Sequence, residues 1–281
     1  MSRRNGGGSA PGPAAVAVEA ALPEPGGFDA HTHLDILGLP VNDVVAAARA
    51  AGIRRVVNVG CDLPSSHWSV TSAGEHPDVY AAVAIHPNET AKLDGQRGEV
   101  LLELATLAAA PKVVAIGETG LDFYRDAAEP EIQRDWFRAH IEIARAAGKP
   151  VMIHDRDAHE DVLSMLADYA PWPPDSVIFH CFSGDAAIAA RCAEAGYLMS
   201  FAGNVTFKNA DALRDAATVA PAELILAETD APYLTPIPHR GKANSPAMTA
   251  YTIRYLADLK KLDLADFCTT LQATGTRVFN W

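Results

Sequence analysis

The sequence predicts a protein of the α/β class that folds as a TIM (β/α)8 barrel, and two features of the chain support this prediction. Short apolar runs rich in valine and isoleucine alternate with longer, alanine-rich amphipathic segments, a pattern typical of repeated βα units. Eight such runs occur, at residues 28–33, 54–60, 79–86, 113–118, 151–154, 177–180, 197–201 and 224–230. The length of 281 residues suits one barrel domain, although length alone does not exclude two small domains.

The helices expected between these runs are amphipathic. Residues 131–147 are the clearest example, because Trp136 and Phe137 belong to one apolar stripe and Gly148 stands where a helix ends. Pro130 suits the first position of that helix, and the next strand follows after a short connection. Further helices are expected at residues 41–51, 99–109, 158–169, 186–195 and 210–219.

The chain is predicted to consist of a disordered N-terminal tail at residues 1–27 and a single barrel domain at residues 28–281. The tail is rich in glycine, alanine and proline. Arg3 and Arg4 resemble a twin-arginine export signal, but Glu19 interrupts the apolar stretch that such a signal needs. No linker between domains is evident after residue 28.

The composition predicts a soluble, cytoplasmic protein. No apolar run approaches the ~18 residues needed to span a bilayer, so no membrane association is expected. The four cysteines include no CxxC pair, which is typical of reduced thiols in a cytosolic chain. Nothing in the sequence indicates an obligate protein partner.

The charge of the chain limits how it could bind nucleic acid. A formal net charge of −12 repels a polyanion at long range and argues against a tight, sequence-specific DNA binder. A polyanionic substrate would need local cations instead, and two divalent ions would supply four positive charges in one place. The acidic composition therefore leaves a nuclease possible.

Chemically active side chains stand at the ends of the predicted strands, where a (β/α)8 barrel forms its active site. These side chains are His31, His33, His86, Glu118, His154, His180 and Asp230. His31 and His33 are two residues apart and therefore face the same side of the first strand. A single histidine of this kind is more often structural than a ligand. Burying so many imidazoles and carboxylates together, however, is costly unless cations or hydrogen bonds pair them.

Divalent metal ions fit this set of side chains, because neutral imidazole and carboxylate are common ligands of such ions. Six candidate ligands exceed one tetrahedral site. We therefore expect two divalent ions per chain, Mg²⁺, Mn²⁺ or Zn²⁺, about 3.5–4 Å apart with a bridging carboxylate. Four other histidines lie away from the strand ends and are interpreted as structural, namely His67, His76, His140 and His159.

A series of motifs gives the sequence a family resemblance. FDAHTHLD, AIHPNE, AIGETGLDFYRD, VMIHDRDAHED, FHCFSGD and ETDAPYLTPIPHRGKAN resemble, in this order, the motifs of the TatD family. The resemblance extends over residues 28–244. It implies a TIM-barrel, metal-dependent hydrolase that acts on DNA as a deoxyribonuclease with 3′–5′ exonuclease activity.

The resemblance also distributes six metal ligands between two ions. The implied sets share one residue: His31, His33 and Asp230 hold one ion, His154 and His180 hold the other, and Glu118 bridges both. Asp230 has a second implied role, which is to orient and deprotonate the water that attacks phosphorus. Asp230 and Glu118 are therefore the predicted catalytic residues, and no covalent intermediate is needed.

Arg156 is the first of three predicted substrate contacts. It lies two residues after His154 and therefore on the same side of a continuing strand, where its guanidinium suits phosphate oxygens. A salt bridge with Asp155 or Asp157 is the alternative.

His86 and Arg240 are the other predicted substrate contacts. A structural hydrogen bond is the alternative for His86, and simple solvation is the alternative for the basic loop that contains Arg240. Many relatives read HPHD where this chain reads HPNE, which replaces a second histidine by Asn88. Where relatives read RGKRNEP, this chain reads RGKANSP, so no role is transferred to Ala243 or Ser245.

Two other functions remain open. One is a barrel hydrolase of a different bond, such as the ester of D-aminoacyl-tRNA, since one metal core supports several hydrolyses. The other is a non-catalytic metal-binding scaffold, against which the intact Glu118 and Asp230 argue.

Overall fold

The structure, a computed structural model, describes residues 21–125 and 127–281, which form eight parallel strands with helices between them. Each strand lies beside its neighbours in the sequence, in the order β1 to β8. The strands are β1 (Gly27–Thr32), β2 (Ile53–Val59), β3 (Val79–Val83), β4 (Val113–Asp122), β5 (Val151–Arg156), β6 (Val177–Phe179), β7 (Leu198–Phe201) and β8 (Ile225–Ala227). This architecture confirms the predicted (β/α)8 barrel.

The first and last strands meet and bring the barrel close to closure. Thr32 and Ala231 form a parallel bridge. The backbone N–H of Asp230 donates to the carbonyl of His31 across 2.9 Å, and the N–H of His33 donates to the carbonyl of Ala231 across 2.9 Å. These bonds fix the backbone of three predicted metal ligands relative to one another.

The α-helices of the described chain surround the strands. They are α1 (Val41–Ala50), α2 (Leu63–Glu75), α3 (Thr90–Leu93), α4 (Arg97–Ala108), α5 (Pro130–Ala147), α6 (His159–Ala167), α7 (Ala186–Glu194), α8 (Asp211–Val219), α9 (Thr249–Lys260) and α10 (Leu264–Phe279). Helix α5 buries Trp136, Phe137 and Ile141 completely and ends at Gly148 with φ +61°, as its apolar stripe and glycine predict.

Helices α2, α9 and α10 lie where the sequence analysis predicts none. Helix α2 begins with reciprocal capping bonds: the carboxylate of Asp62 accepts the N–H of Ser65 across 2.8 Å, and the hydroxyl of Ser65 accepts the N–H of Asp62 across 3.0 Å. Its buried side chains are small: Ser66, Ser69, Ser72 and Ala73. An apolar stripe is therefore missing, and the periodicity does not reveal this helix.

Four of the predicted strand-end side chains lie in loops. His33, His86, His180 and Asp230 follow β1, β3, β6 and β8 rather than belonging to them, whereas Glu118 and His154 lie within β4 and β5. The hydrogen-bonded ladders end before the mouth of the barrel, and the loops there turn their side chains into the same space. The strand assignment is therefore wrong for these four residues, but their position at the carboxyl face is right.

Residues 1–20, which make up most of the predicted tail, lie outside the described residues. Within residues 21–27, Leu22 is buried and its N–H donates to the carbonyl of Ala51 across 3.0 Å. Gly27 begins β1 and pairs with Ile53. This short part of the predicted tail therefore packs on the barrel. Among the described helices, none has both the length and the hydropathy to cross a bilayer.

Candidate metal centre

A cavity of about 660 Å³ opens at the carboxyl ends of the strands and gathers most of the predicted site. The predicted residues that line it are His33, His86, Glu118, His154, Arg156, His180 and Asp230. His31 is fully buried beside them, with its Nε2 atom 3.3 Å from Nε2 of His33. The fold thus brings all six predicted metal ligands to one place, although they come from five different strands or the loops that follow them.

Glu118 lies at the centre of the predicted ligands, and its two carboxylate oxygens face different histidine pairs. Oε1 lies 3.5 Å from Nε2 of His33 and 3.7 Å from Nε2 of His31. Oε2 lies 2.9 Å from Nε2 of His180 and 3.1 Å from Nδ1 of His154. This arrangement suits a carboxylate shared between two neighbouring cations.

Asp230 lies beside the first of these pairs. Its Oδ1 atom is 3.5 Å from Nε2 of His33 and 3.9 Å from Nε2 of His31. The backbone of Asp230 has φ +50°, a left-handed conformation that is uncommon for a residue other than glycine. The bond from its N–H to His31 holds that conformation and keeps the carboxylate next to the first pair.

Three combinations of side chains have donor atoms within 4.8 Å of one another and could each hold an ion. These combinations are His31 with His33 and Glu118; His31 with His180 and Asp230; and His86 with Glu118 and His154. Imidazole nitrogens and carboxylate oxygens are ligands that zinc, manganese and magnesium accept in proteins. The donor set therefore fits divalent metal ions.

The first histidine pair is oriented by neutral groups. Nδ1 of His33 donates to the carbonyl of Val59 across 3.0 Å, and Nδ1 of His31 lies 3.2 Å from the thioether sulfur of Met152. Both partners are acceptors, so each ring carries a proton on Nδ1, and Nε2 faces the centre, where it can share a proton with a carboxylate or offer its lone pair to a metal ion.

The second pair is oriented by two carboxylates that the sequence analysis misses. Nε2 of His154 lies 3.2 Å from Oδ2 of Asp122, and Nδ1 of His180 lies 3.1 Å from Oε1 of Glu228. A carboxylate behind a ligand histidine fixes its tautomer and increases its basicity. Both carboxylates belong to motifs quoted above: Asp122 ends GETGLD, and Glu228 stands two residues before Asp230.

Asn88 explains one of the departures from the family motifs. Its side-chain amide donates to Oδ2 of Asp122 across 3.0 Å. The backbone N–H groups of Tyr124 and Arg125 donate to Oδ1 of the same carboxylate across 3.1 and 2.9 Å. Asn88 therefore helps to hold the carboxylate behind His154.

The carboxylates of the centre favour a cation. Burial opposes ionisation of Glu118, but the charge of His180 and hydrogen bonds from His154 and His180 hold its pKa well below the ordinary value. Burial likewise opposes ionisation of Asp230, but a hydrogen bond from His33 lowers the pKa of this carboxyl. Burial disfavours charge on His180, yet Glu228 and Glu118 raise the pKa of that ring well above its ordinary value. The cavity thus holds ionised carboxylates whose charge a proton or a metal ion must balance.

Arg156 lies at the rim of the cavity without the salt bridge that was its alternative interpretation. Its Cζ atom stacks 4.0 Å from the ring centroid of Tyr124, and Asp155 bonds to His159 across 2.7 Å instead. Within residues 21–125 and 127–281, no carboxylate pairs with the guanidinium of Arg156. The guanidinium edge is therefore available to an anion in the cavity.

The other basic residue predicted to contact the substrate is placed differently. Arg240 is not among the described residues that line the cavity, and its Cζ atom lies 4.2 Å from the ring centroid of Phe207. Arg125 does line the cavity, although the sequence analysis does not select it. The loop after β8 turns Arg240 onto an aromatic ring, which the position of the loop in the sequence could not reveal.

The histidines interpreted as structural have partners outside the centre. His140 bonds to the backbone of Trp136 and Ile85, and His76 bonds to the carbonyl of Ser72. His67 pairs with Glu103 on the surface. These contacts agree with the structural interpretation of all three and, with the His159 contact given above, of the whole group.

The barrel and its histidine and carboxylate centre define a metal-dependent hydrolase. The family model described as "TatD related DNase" matches residues 28–280, and the chain belongs to this family. An uncharacterized metal-dependent hydrolase, TatD, of Mycobacterium tuberculosis is 48% identical over 240 residues, which cover 82% of this chain and 89% of the relative. The uncharacterized metal-dependent hydrolase YabD of Bacillus subtilis is 35% identical over 254 residues, which cover 90% and 98%. The family resemblance and the hydrolase class are thereby confirmed.

The fold has a similar counterpart among solved structures. The crystal structure of YjjV, a TatD homolog from Escherichia coli K12, superposes with a TM-score of 0.83 at 25% identity and covers 90% of this chain and 98% of that chain.

Proposed function

We propose that this metal-dependent hydrolase is a deoxyribonuclease that uses two divalent ions to remove nucleotides from the 3′ end of DNA. The observation that carries the proposal is Glu118, whose two oxygens face two separate histidine pairs in one buried cavity. Two ions that share one carboxylate would suit the cleavage of a phosphodiester. The description of the matching family as a DNase supports the same substrate class.

The ligands divide into two sets around Glu118. His31, His33 and Asp230 would hold one ion, and His154 and His180 would hold the other. When bound, divalent ions lower the pKa of water and offset the charge that develops on an attacked phosphate.

Asp230 is the proposed base. Its lowered pKa keeps the carboxylate ionised, and its Oδ1 atom faces the cavity beside His33 and His31. The carboxylate accepts a proton from the attacking water while the water oxygen bonds to phosphorus and the bond from phosphorus to the leaving oxygen breaks. The proton then passes from Asp230 to solvent, so the residue returns to its ionised form.

Arg156 is the proposed anchor for the phosphate groups. The ring of Tyr124 covers one face of the guanidinium, and no carboxylate within residues 21–125 and 127–281 pairs with its N–H edge, which suits two oxygens of one phosphate. The 3′–5′ exonuclease activity is what the family resemblance implies, and bound divalent cations would compensate locally for the acidic net charge.

The direct test is hydrolysis of a DNA oligonucleotide by protein prepared free of metal and then supplied with Mg²⁺, Mn²⁺ or Zn²⁺. With a label at the 5′ end we expect a ladder that shortens stepwise, and with a label at the 3′ end we expect immediate release of a labelled mononucleotide. Chelator should abolish both. Hydrolysis of D-aminoacyl-tRNA but not DNA would favour the other ester substrate, and no turnover with any of the three metals would favour the scaffold.

A further inference from the structure

His86 differs from the four ligand histidines in the partner of its outer ring nitrogen. The backbone N–H of Asn88 lies 3.0 Å from Nδ1 of His86. A backbone N–H can only donate, so Nδ1 of His86 must accept and cannot carry a proton. The ring is therefore neutral, with its single N–H on Nε2.

The N–H of His86 points into the cavity. Nε2 lies 3.7 Å from Oε2 of Glu118, and the ring centroid is 4.4 Å from that of His154. A metal ligand must offer a lone pair, and the only lone pair of this ring is already used by Asn88. Proximity alone groups His86 with Glu118 and His154 as a possible ion site. Its hydrogen bonding makes it a donor instead.

The four ligand histidines show the opposite arrangement. In each, the outer nitrogen faces an acceptor and the inner nitrogen is left with a lone pair. The pairs are His31 with the Met152 sulfur, His33 with the Val59 carbonyl, His154 with Asp122, and His180 with Glu228. The local hydrogen bonds thus separate four proposed ligands from one donor among the five histidines of this centre.

The donor and the proposed base lie at opposite ends of Glu118. Asp230 is next to the histidines that face Oε1, whereas His86 is next to Oε2. In an in-line displacement, the attacking and leaving oxygens are on opposite sides of phosphorus. A base at one end and an N–H donor at the other therefore match the two changing bonds.

We propose that His86 is a catalytic hydrogen-bond donor to the leaving oxygen of the phosphodiester, and that it is not a ligand of the second ion. This inference rests on the proposed phosphodiesterase function. When the bond from phosphorus breaks, its electron pair moves to the leaving oxygen, which the Nε2–H group of His86 stabilises without giving up its proton. The leaving oxygen then takes a proton from solvent.

The test compares His86→Phe with His86→Gln, which keeps a side-chain N–H group, and with His67→Phe as the matched control on the surface. Two diesters are used, one with the alkyl leaving group of DNA and one with p-nitrophenolate. We expect His86→Phe to lower the rate on DNA by about 10²–10³-fold, as loss of a donor to a developing oxyanion commonly does. The p-nitrophenyl ester should lose far less, because its leaving oxygen needs little stabilisation. His86→Gln should recover part of the lost rate, and His67→Phe should change nothing.

Metal content gives a readout that is independent of activity. His86→Phe and His86→Gln should both retain as many Zn²⁺ ions per chain as the parent after dialysis against the same free Zn²⁺ concentration. Loss of one ion in His86→Gln would make His86 a ligand and overturn the inference. Equal rate losses on the two esters would also overturn it, since the leaving oxygen would then not be the site of the interaction. If the parent hydrolyses neither diester, the proposed function fails, whereas the metal content still reports on the tautomer argument.

Discussion

Nδ1 of His180 lies 3.1 Å from Oε1 of Glu228, a carboxylate that is completely shielded from solvent. The N–H of Cys181 donates to the same oxygen across 2.9 Å, so this oxygen contacts two neighbouring groups that fix its position. Glu228 itself does not face the cavity. Its effect on the metal centre must therefore act through the orientation and basicity of His180.

Glu228→Gln should weaken one metal site and spare the other. The substitution keeps the size of the side chain and an acceptor oxygen but removes the charge behind His180. We expect the affinity for the ion on His154 and His180 to fall about 10–100-fold. The measurement is metal bound per chain as a function of free metal concentration. Glu103→Gln, on the surface, is the control. An unchanged titration, or equal weakening of both sites, would contradict the role given to Glu228.

Arg156→Ala should raise the KM for DNA more than it lowers kcat, because the guanidinium is proposed to bind phosphate rather than to take part in bond breaking. We expect kcat/KM to fall about 10–100-fold, as for loss of a hydrogen bond to a charged group. The kcat/KM of Arg156→Lys should lie between that of the parent and that of Arg156→Ala, because lysine keeps the charge but lacks the planar guanidinium. The control is Arg191→Ala, an exposed arginine paired with Glu160. A kinetic effect of the control as large as that of Arg156→Ala would show that the loss is not specific.

His140 should make stability fall in mildly acidic solution. Nδ1 of this buried ring donates to the carbonyl of Trp136 across 2.7 Å, and Nε2 accepts the N–H of Ile85 across 3.0 Å. Burial lowers the pKa of His140 from its ordinary value of 6.5 to about 4. Between these pH values the unfolded chain binds a proton that the folded chain does not bind. The free energy of unfolding therefore decreases as the pH falls through this window, by up to about 3 kcal/mol.

His140→Gln provides the comparison, since glutamine offers a donor and an acceptor but does not titrate. The free energy of unfolding is measured by urea unfolding of the parent and of His140→Gln at a series of pH values. Between pH 6.5 and about 4 it should fall more steeply with decreasing pH in the parent than in His140→Gln. His67→Gln, which changes an exposed histidine, should follow the parent. Identical pH dependence in the parent and His140→Gln would mean that burial does not lower the pKa of His140.

The meeting of the proposed metal ligands in one place was predictable because each stands at or near the end of an apolar run, and the ends of parallel strands share one face of a barrel. The carboxylates that bond to the outer nitrogens of His154 and His180 were not predictable in this way. Asp122 reaches His154 across the β4–β5 pair, whose register places Gly120 beside His154 and Asp122 beside Arg156. That register includes a shift between Ile116 and Thr119, which no periodicity in the sequence reveals.

The sequence also could not separate His86 from the ligand histidines. These residues all lie at or near the ends of apolar runs, and they differ in whether the outer nitrogen meets an acceptor or a donor. For His86 this group is the N–H of Asn88, two residues further along the first turn after β3. The conformation of that turn, rather than residue type or spacing, determines the chemistry of the ring.

Asp230→Asn tests the central claim most directly, because asparagine keeps the size of the side chain and one oxygen but cannot accept a proton from the attacking water. The measurement is single-turnover DNA cleavage across a metal titration, made together with metal content. Five other ligands remain, so folding and metal loading should survive at high metal concentration. The rate should nevertheless stay about 10²–10⁴-fold below that of the parent, as for loss of a general base. If saturating metal restores the parental rate, Asp230 is only a ligand and the proposed proton transfer to it is wrong.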